Sequence, residues 1–128
     1  MGARVKILLI EDNDVFRQAL ELLLGLRGDL EIVGSEPDGS QAVELCRELA
    51  PDVLLIDYRL PGVDGVRVTE RVSAACPAVA IVGLTAAAES REIEALYEAG
   101  AVDCVRKDQP LDAIVTAVRR AAGRVEAA

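Results

Sequence analysis

Asp57 closes the apolar run Val53-Leu54-Leu55-Ile56 and leads into a loop, Tyr58-Arg59-Leu60-Pro61-Gly62-Val63-Asp64-Gly65. A carboxylate there either caps a turn or is delivered to a place where a reactive acid is wanted. Other polar residues share its setting. Glu11-Asp12 follows the apolar run 5–10, Thr85 follows 78–84, and Lys107 stands just beyond 101–105. Three carboxylates, a hydroxyl and an ammonium suit one chemistry if the fold gathers them. Two carboxylates about 4 Å apart repel by roughly 4 kcal/mol at an effective dielectric near 20. Three therefore need help to stay ionised. A hard divalent cation supplies it, and Mg2+ suits the set: it is held by one or two carboxylates, keeps waters and takes a phosphate as a further ligand. Lys107 and Thr85 would then serve phosphoryl oxygens, one by charge and one by hydrogen bond.

The elements must bring these residues together. Residues 5–10 read as a strand. Asn13 or Asp14 caps a helix to about Leu26, with Phe16, Leu20, Leu23 and Leu24 spaced for one face. A weaker strand at 31–35, a turn at Pro37-Asp38-Gly39-Ser40 and a short helix at 41–49 follow. Next come a strand at 53–56, a helix from 65 to about 75, a strand at 78–84 and a helix at 89–99 closed by Gly100. A strand at 101–105 and a helix at 111–122, with Gly123 beyond its end, complete the chain. Continuous apolar strands alternating with helices specify an α/β fold: a doubly wound five-stranded parallel sheet with helices on both faces. The flavodoxin-like order 2-1-3-4-5 is expected, with its switch point between strands one and three. Ligands of such sheets lie outside the carboxyl ends of the strands, where all these polar residues fall. An eight-stranded barrel needs about twice this length.

Composition narrows the partners. The chain has 128 residues, of which 52% are hydrophobic but only 2% aromatic, so the core must be Leu, Val, Ile and Ala. A net charge of −8 argues against a nucleic-acid face and against anionic membranes. No apolar run is long enough to span a bilayer, and the N-terminus lacks a secretory layout. There is no histidine, which removes the commonest base and metal ligand. Cys46, Cys76 and Cys104 form no CxxC pair and read as reduced thiols of a cytoplasmic protein. Lys107 is one of two lysines in a chain that otherwise uses arginine, and an ammonium is not a guanidinium fork.

In order along the chain, Glu11-Asp12, Asp57, Pro61-Gly62-x-Asp64-Gly65, Leu84-Thr85-Ala86 and Lys107 resemble the receiver domain of two-component response regulators. The resemblance covers essentially the whole length. It implies that Asp57 is the phosphoacceptor, attacking the phosphohistidine of a sensor histidine kinase to form an acyl phosphate. It implies that Asp12, Asp57 and the backbone carbonyl of Arg59 bind Mg2+, with Glu11 assisting through water. Lys107 would pair with Asp57 or its phosphoryl group, and Thr85 would close on the phosphoryl oxygens and transmit the change. This is phosphoryl transfer by positioning and charge neutralisation, with a carboxylate nucleophile. The protein would be a signalling switch, not an enzyme beyond its own phosphorylation and dephosphorylation. Lys107-Asp108 and Arg119-Arg120-Ala121-Ala122-Gly123 resemble receivers of LuxR/NarL-type transcriptional regulators. Residues 1–128 are expected to form one receiver domain, with DNA reached only through an effector domain absent from this chain. A homodimer on activation and no membrane contact are expected.

Some positions depart from the family pattern. Cys104 stands three places before the lysine, where many receivers have an aromatic, and Asp103 stands where the NarL-type subgroup often has glycine. Asp108 follows the lysine where proline is frequent, so no cis bond is expected. Arg59 can face the phosphoryl pocket and alter dephosphorylation. Other readings stay open. Asp57 could cap a turn, Glu11-Asp12 could be first-turn acids favoured by a helix dipole, Thr85 could cap a strand end and Lys107 could be a solvated charge. Asp64 is read as a loop and helix-start residue. Rival functions are a stand-alone receiver that docks on proteins and a degenerate receiver that binds partners without phosphorylation. A Mg2+-dependent aspartate phosphatase is disfavoured because Asp57-Tyr58-Arg59 lacks a second acid. A flavin or cobamide carrier is disfavoured by the acidic rim and the missing histidine.

Overall fold

A computed structural model describes residues 3–86 and 90–127. Ten elements alternate along the chain. They are β1 (Val5–Ile10), α1 (Asp14–Gly25), β2 (Leu30–Glu36), α2 (Ala42–Leu49), β3 (Val53–Asp57), α3 (Gly65–Ala75), β4 (Ala80–Thr85), α4 (Ser90–Ala99), β5 (Asp103–Arg106) and α5 (Leu111–Ala127). The five strands form one sheet in the order β2-β1-β3-β4-β5, every pair parallel. This is the doubly wound flavodoxin-like arrangement expected from the sequence.

The two-residue period of the strands divides the core between two faces. Ile7, Leu9, Leu55, Val82 and Leu84 pack with Leu20 and Leu24 of α1 and Ile114 and Val118 of α5. Leu8, Ile10, Leu54, Ile56 and Ile81 pack with Cys46 of α2, Val68 and Val72 of α3 and Leu96 of α4. Both faces of β3 are therefore covered, and all five of its residues are buried.

Helix boundaries follow local chemistry. Asn13 caps α1 by accepting from Phe16 N at 2.9 Å. Asp64 caps α3 by accepting from Arg67 N at 2.9 Å, the helix-start role expected of it. Gly100, at φ 125°, lets the chain leave α4.

Four expectations are corrected. Leu23 is 40% exposed, because the apolar face of α1 runs through Leu20 and Leu24 and Leu23 lies on its flank. β4 begins at Ala80, since Val79 N is tied back to Cys76 O in a turn. β5 begins at Asp103, since Ala101 N still closes on Leu96 O of the preceding helix. α5 runs through Gly123 to Ala127; the glycine costs about 1 kcal/mol there, and helix-forming residues follow it. The start expected for the fourth helix, at Glu89, lies outside the described residues. No cis peptide bond is present among the described residues.

The three cysteines are free. Burial pushes the Cys46 thiol up to about 12 and the Cys104 thiol up to about 11, with help from the charge of Asp103 in the second case. Both are inert thiols near neutral pH. No helix among the described residues is long and apolar enough to cross a membrane.

Candidate functional site

The sheet register sets the site. Ile10 lies beside Ile56, Asp57 beside Leu84, and Leu84 beside Val105. The residues that follow β1 and the residue that ends β3 therefore emerge together at the carboxyl edge. Glu11 N is held by Glu36 O at 3.0 Å and Lys107 N by Thr85 O at 2.8 Å, which extends the pairing past the strand ends.

Glu11 is fully buried. Its Oε2 accepts from Asn13 N at 2.9 Å, and its Oε1 lies 2.6 Å from Lys107 Nζ. Asp57 is 3% exposed; its Oδ2 meets the same ammonium at 3.0 Å and its Oδ1 accepts from Arg59 N at 3.3 Å. Asp12 stands exposed at the rim. One carboxylate oxygen from each of Glu11, Asp12 and Asp57 lies within 4.8 Å of the others. Lys107 reaches this cluster over the ring of Phe16, with Nζ 5.0 Å from its centroid. The ring holds the ammonium by cation–π attraction as well as by burial.

The electrostatics are lopsided: one ammonium serves two buried acids. Burial pushes the Asp57 carboxyl up to about 7; the hydrogen bond from Lys107 opposes this, and the Glu11 charge adds to it. Burial alone would lower Lys107, but its hydrogen bonds to Glu11 and Asp57 outweigh that and hold it above the ordinary lysine range. Three acids around one base leave excess negative charge, and every donor is a carboxylate oxygen. That donor set fits a hard cation.

The loop after β3 is folded tightly against this cluster. Tyr58 N donates to Leu84 O at 2.8 Å, and Gly65 N donates back to Tyr58 O at 2.9 Å. A Cβ at Gly65 would collide with the backbone oxygen of Asp57 and come within 2.9 Å of Tyr58 Cα. Glycine is thus required for close approach here, whereas at Gly62 it is only favoured, by the left-handed backbone at φ 77°.

Two expected site residues face elsewhere. The Thr85 hydroxyl, fully buried, donates to Glu92 Oε1 of α4 at 2.8 Å. The Arg59 guanidinium, with its side chain 75% exposed, turns to the same carboxylate and donates to Glu92 Oε2 at 3.1 Å. Glu92 itself is only 5% exposed. The sequence reading missed it, although a signal was present. Glu92 stands one helical turn before buried Leu96 and so on the inward face of α4.

The acidic cluster lies outside the carboxyl ends of β1 and β3, at the switch point where doubly wound sheets bind their ligands, and Lys107 reaches it from beyond β5. The chain belongs to the response regulator receiver domain family, whose model matches residues 7–119. Among its relatives is the transcriptional regulatory protein LnrK of Bacillus subtilis (strain 168), 36% identical over 89% of this chain and 52% of LnrK. The transcriptional regulatory protein LiaR of the same organism is 32% identical over 91% of this chain and 56% of LiaR. Among solved structures, the signal receiver domain of the response regulator NarL from Mycobacterium tuberculosis superimposes with a TM-score of 0.88. It is 32% identical, covering 95% of this chain and 98% of that one. The chain spans about half the length of the curated relatives it matches. It is a receiver domain of the two-component kind, similar to those of transcriptional regulators.

Proposed function

We propose that Asp57 is the phosphoacceptor of this receiver, taking a phosphoryl group from a sensor histidine kinase. The observation that carries the reading is the placement of Asp57. It is a buried carboxylate at the end of a central strand, 3.0 Å from Lys107, among two further acids. Asp12, Asp57 and Glu11, with the Arg59 backbone carbonyl, would hold Mg2+. When bound, the ion neutralises charge on the phosphoryl oxygens. Asp57 supplies the nucleophilic oxygen once ionised. Lys107 then stands ready to pair with a phosphoryl oxygen, remaining tied to Glu11. Thr85 supplies the hydroxyl that responds to the new group, and the response alters the surface read by a partner.

The relatives' names, which are those of transcriptional regulators, favour an output through a DNA-binding domain; a homodimer forming on activation belongs to the same reading. Residues 1–128 serve as the input domain of that protein. The acidic surface and reduced thiols support a cytoplasmic setting.

Calorimetric titration with Mg2+, paired with labelling by a small acyl phosphate, tests the ion's part. Asp12→Asn should weaken Mg2+ binding on the order of tenfold or more by removing a charged ligand. Chelation should abolish labelling of the wild type. Unchanged affinity in the variant, or labelling that persists in chelator, would contradict the assignment.

A further inference from the structure

The buried acid Glu92 has no part in holding a metal or in accepting a phosphoryl group, yet it binds the hydroxyl on which the switch depends. Its Oε1 accepts from Thr85 Oγ1 at 2.8 Å and its Oε2 accepts from Arg59 Nη2 at 3.1 Å. A hydroxyl carries a single proton. While Glu92 accepts it, Thr85 cannot donate it to a phosphoryl oxygen on Asp57. The acceptor is a carboxylate, and hydrogen bonds to ionised acceptors are roughly twice as strong as neutral ones. Burial removes the competition of water.

From this we infer that Glu92 is a positioning residue that latches Thr85 in the resting state and restrains phosphorylation of Asp57. The inference rests on the reading of Asp57 as phosphoacceptor. Phosphorylation must draw the Thr85 proton away from Glu92. A buried carboxylate left half-satisfied is costly, and Arg59 answers that need. Its guanidinium already holds one oxygen, and its fork can take both. Release of Thr85 and closure of Arg59 are therefore one event. Glu92 lies in the first turn of α4 and Arg59 lies in the loop after β3, so the event also reaches the α4 surface.

The latch makes opposite demands on its two outer residues. Glu92→Gln keeps the shape but weakens the acceptor, so Thr85 is released more often. Arg59→Gln leaves Glu92 more dependent on Thr85, so the latch tightens. The experiment is the initial rate of phosphoryl uptake from a small acyl phosphate with saturating Mg2+, followed by intact mass. In that reaction a bond forms between an Asp57 oxygen and phosphorus. The donor's P–O bond breaks, and its electron pair leaves with the donor carboxylate. Glu92→Gln should label about fivefold faster or more, the order expected from exchanging a charged for a neutral acceptor, and Arg59→Gln should label more slowly. In a Thr85→Ala background, Glu92→Gln should have no further effect.

A folded Glu92→Gln protein that labels at the wild-type rate or slower would overturn the latch. So would an acceleration that persists without the Thr85 hydroxyl. If Glu92→Gln does not fold, Arg59→Gln decides: slower uptake supports the latch, and equal or faster uptake overturns it. If the wild type itself takes up no phosphoryl group, the phosphoacceptor reading fails and the latch fails with it. A labelled wild type with unresponsive variants removes the latch alone.

Discussion

Asp57→Asn is expected to make the metal-free protein more stable at neutral and alkaline pH. Wild-type Glu11 and Asp57 share the single ammonium of Lys107 in a buried pocket. The amide removes one buried charge and leaves a one-to-one pair of Lys107 with Glu11 at 2.6 Å. The pH dependence follows from the carboxyl held at about 7, mainly by burial, against an ordinary 3.8. Between those values the folded chain holds a proton that the unfolded chain has lost, so stability falls as pH rises through that window. Above about 7 the full cost of the buried charge is present. Below about 4 the side chain is neutral in both states and the cost vanishes. Urea denaturation with chelator present should therefore show the variant more stable by on the order of 1–3 kcal/mol at pH 8. The two proteins should converge near pH 4. A variant less stable than wild type at pH 8, or a wild type flat from pH 4 to 8, would contradict this electrostatic description. Added Mg2+ should stabilise the wild type more than the variant, since a ligand of the folded state stabilises by mass action.

Gly65→Ala is expected to damage both fold and site. The added Cβ would meet the backbone oxygen of Asp57 and the Tyr58 Cα, which are main-chain atoms without a rotamer to yield. Tyr58 is tied to β4 through Leu84 O, and Gly65 is tied to Tyr58, so relief must move the end of β3. Overpacking of this kind costs about 2–3 kcal/mol. A displacement near 1 Å at a reacting group costs about a hundredfold in rate. Gly62→Ala is the control. Nothing lies within 4 Å of a Cβ there, and only its φ of 77° is unfavourable. It should cost about 1 kcal/mol and leave phosphoryl uptake near wild type. Denaturant midpoints and initial uptake rates measure both. A Gly65→Ala protein with wild-type stability and rate would show that the loop does not hold Asp57 in place.

The sheet and much of the pocket were legible in the sequence because both depend on local signals. Apolar runs at 5–10 and 53–56 have the strand period, and an acid directly after each must emerge at the sheet edge. Asn13 and Asp64 announced their helices by cap chemistry. Gly123 misled because a single glycine does not end a helix whose following residues favour it. Leu23 misled because periodicity places a residue on a broad face, not at its centre. The partner of Thr85 was hidden for a different reason. Glu92 and Thr85 lie on different elements, and only the packing of α4 against β4 shows which acid reaches the hydroxyl. Arg59 was legible as a neighbour of the pocket, but its turn toward Glu92 was not, since that choice depends on a buried charge seven residues past Thr85. The shared ammonium was half legible: the pairing of Lys107 with Asp57 was expected, and its shorter contact with Glu11 was not.

Phosphorylation of Asp57 is the function proposed for this pocket. It is tested most directly by intact mass after incubation with a small acyl-phosphate donor, with and without Mg2+, on the wild type and on Asp57→Asn. The expected result is a gain of one phosphoryl group on the wild type, dependent on the metal and absent from the variant. Absence of any gain on correctly folded wild type, with a cognate kinase also failing to label it, would contradict the claim, as would equal labelling of Asp57→Asn.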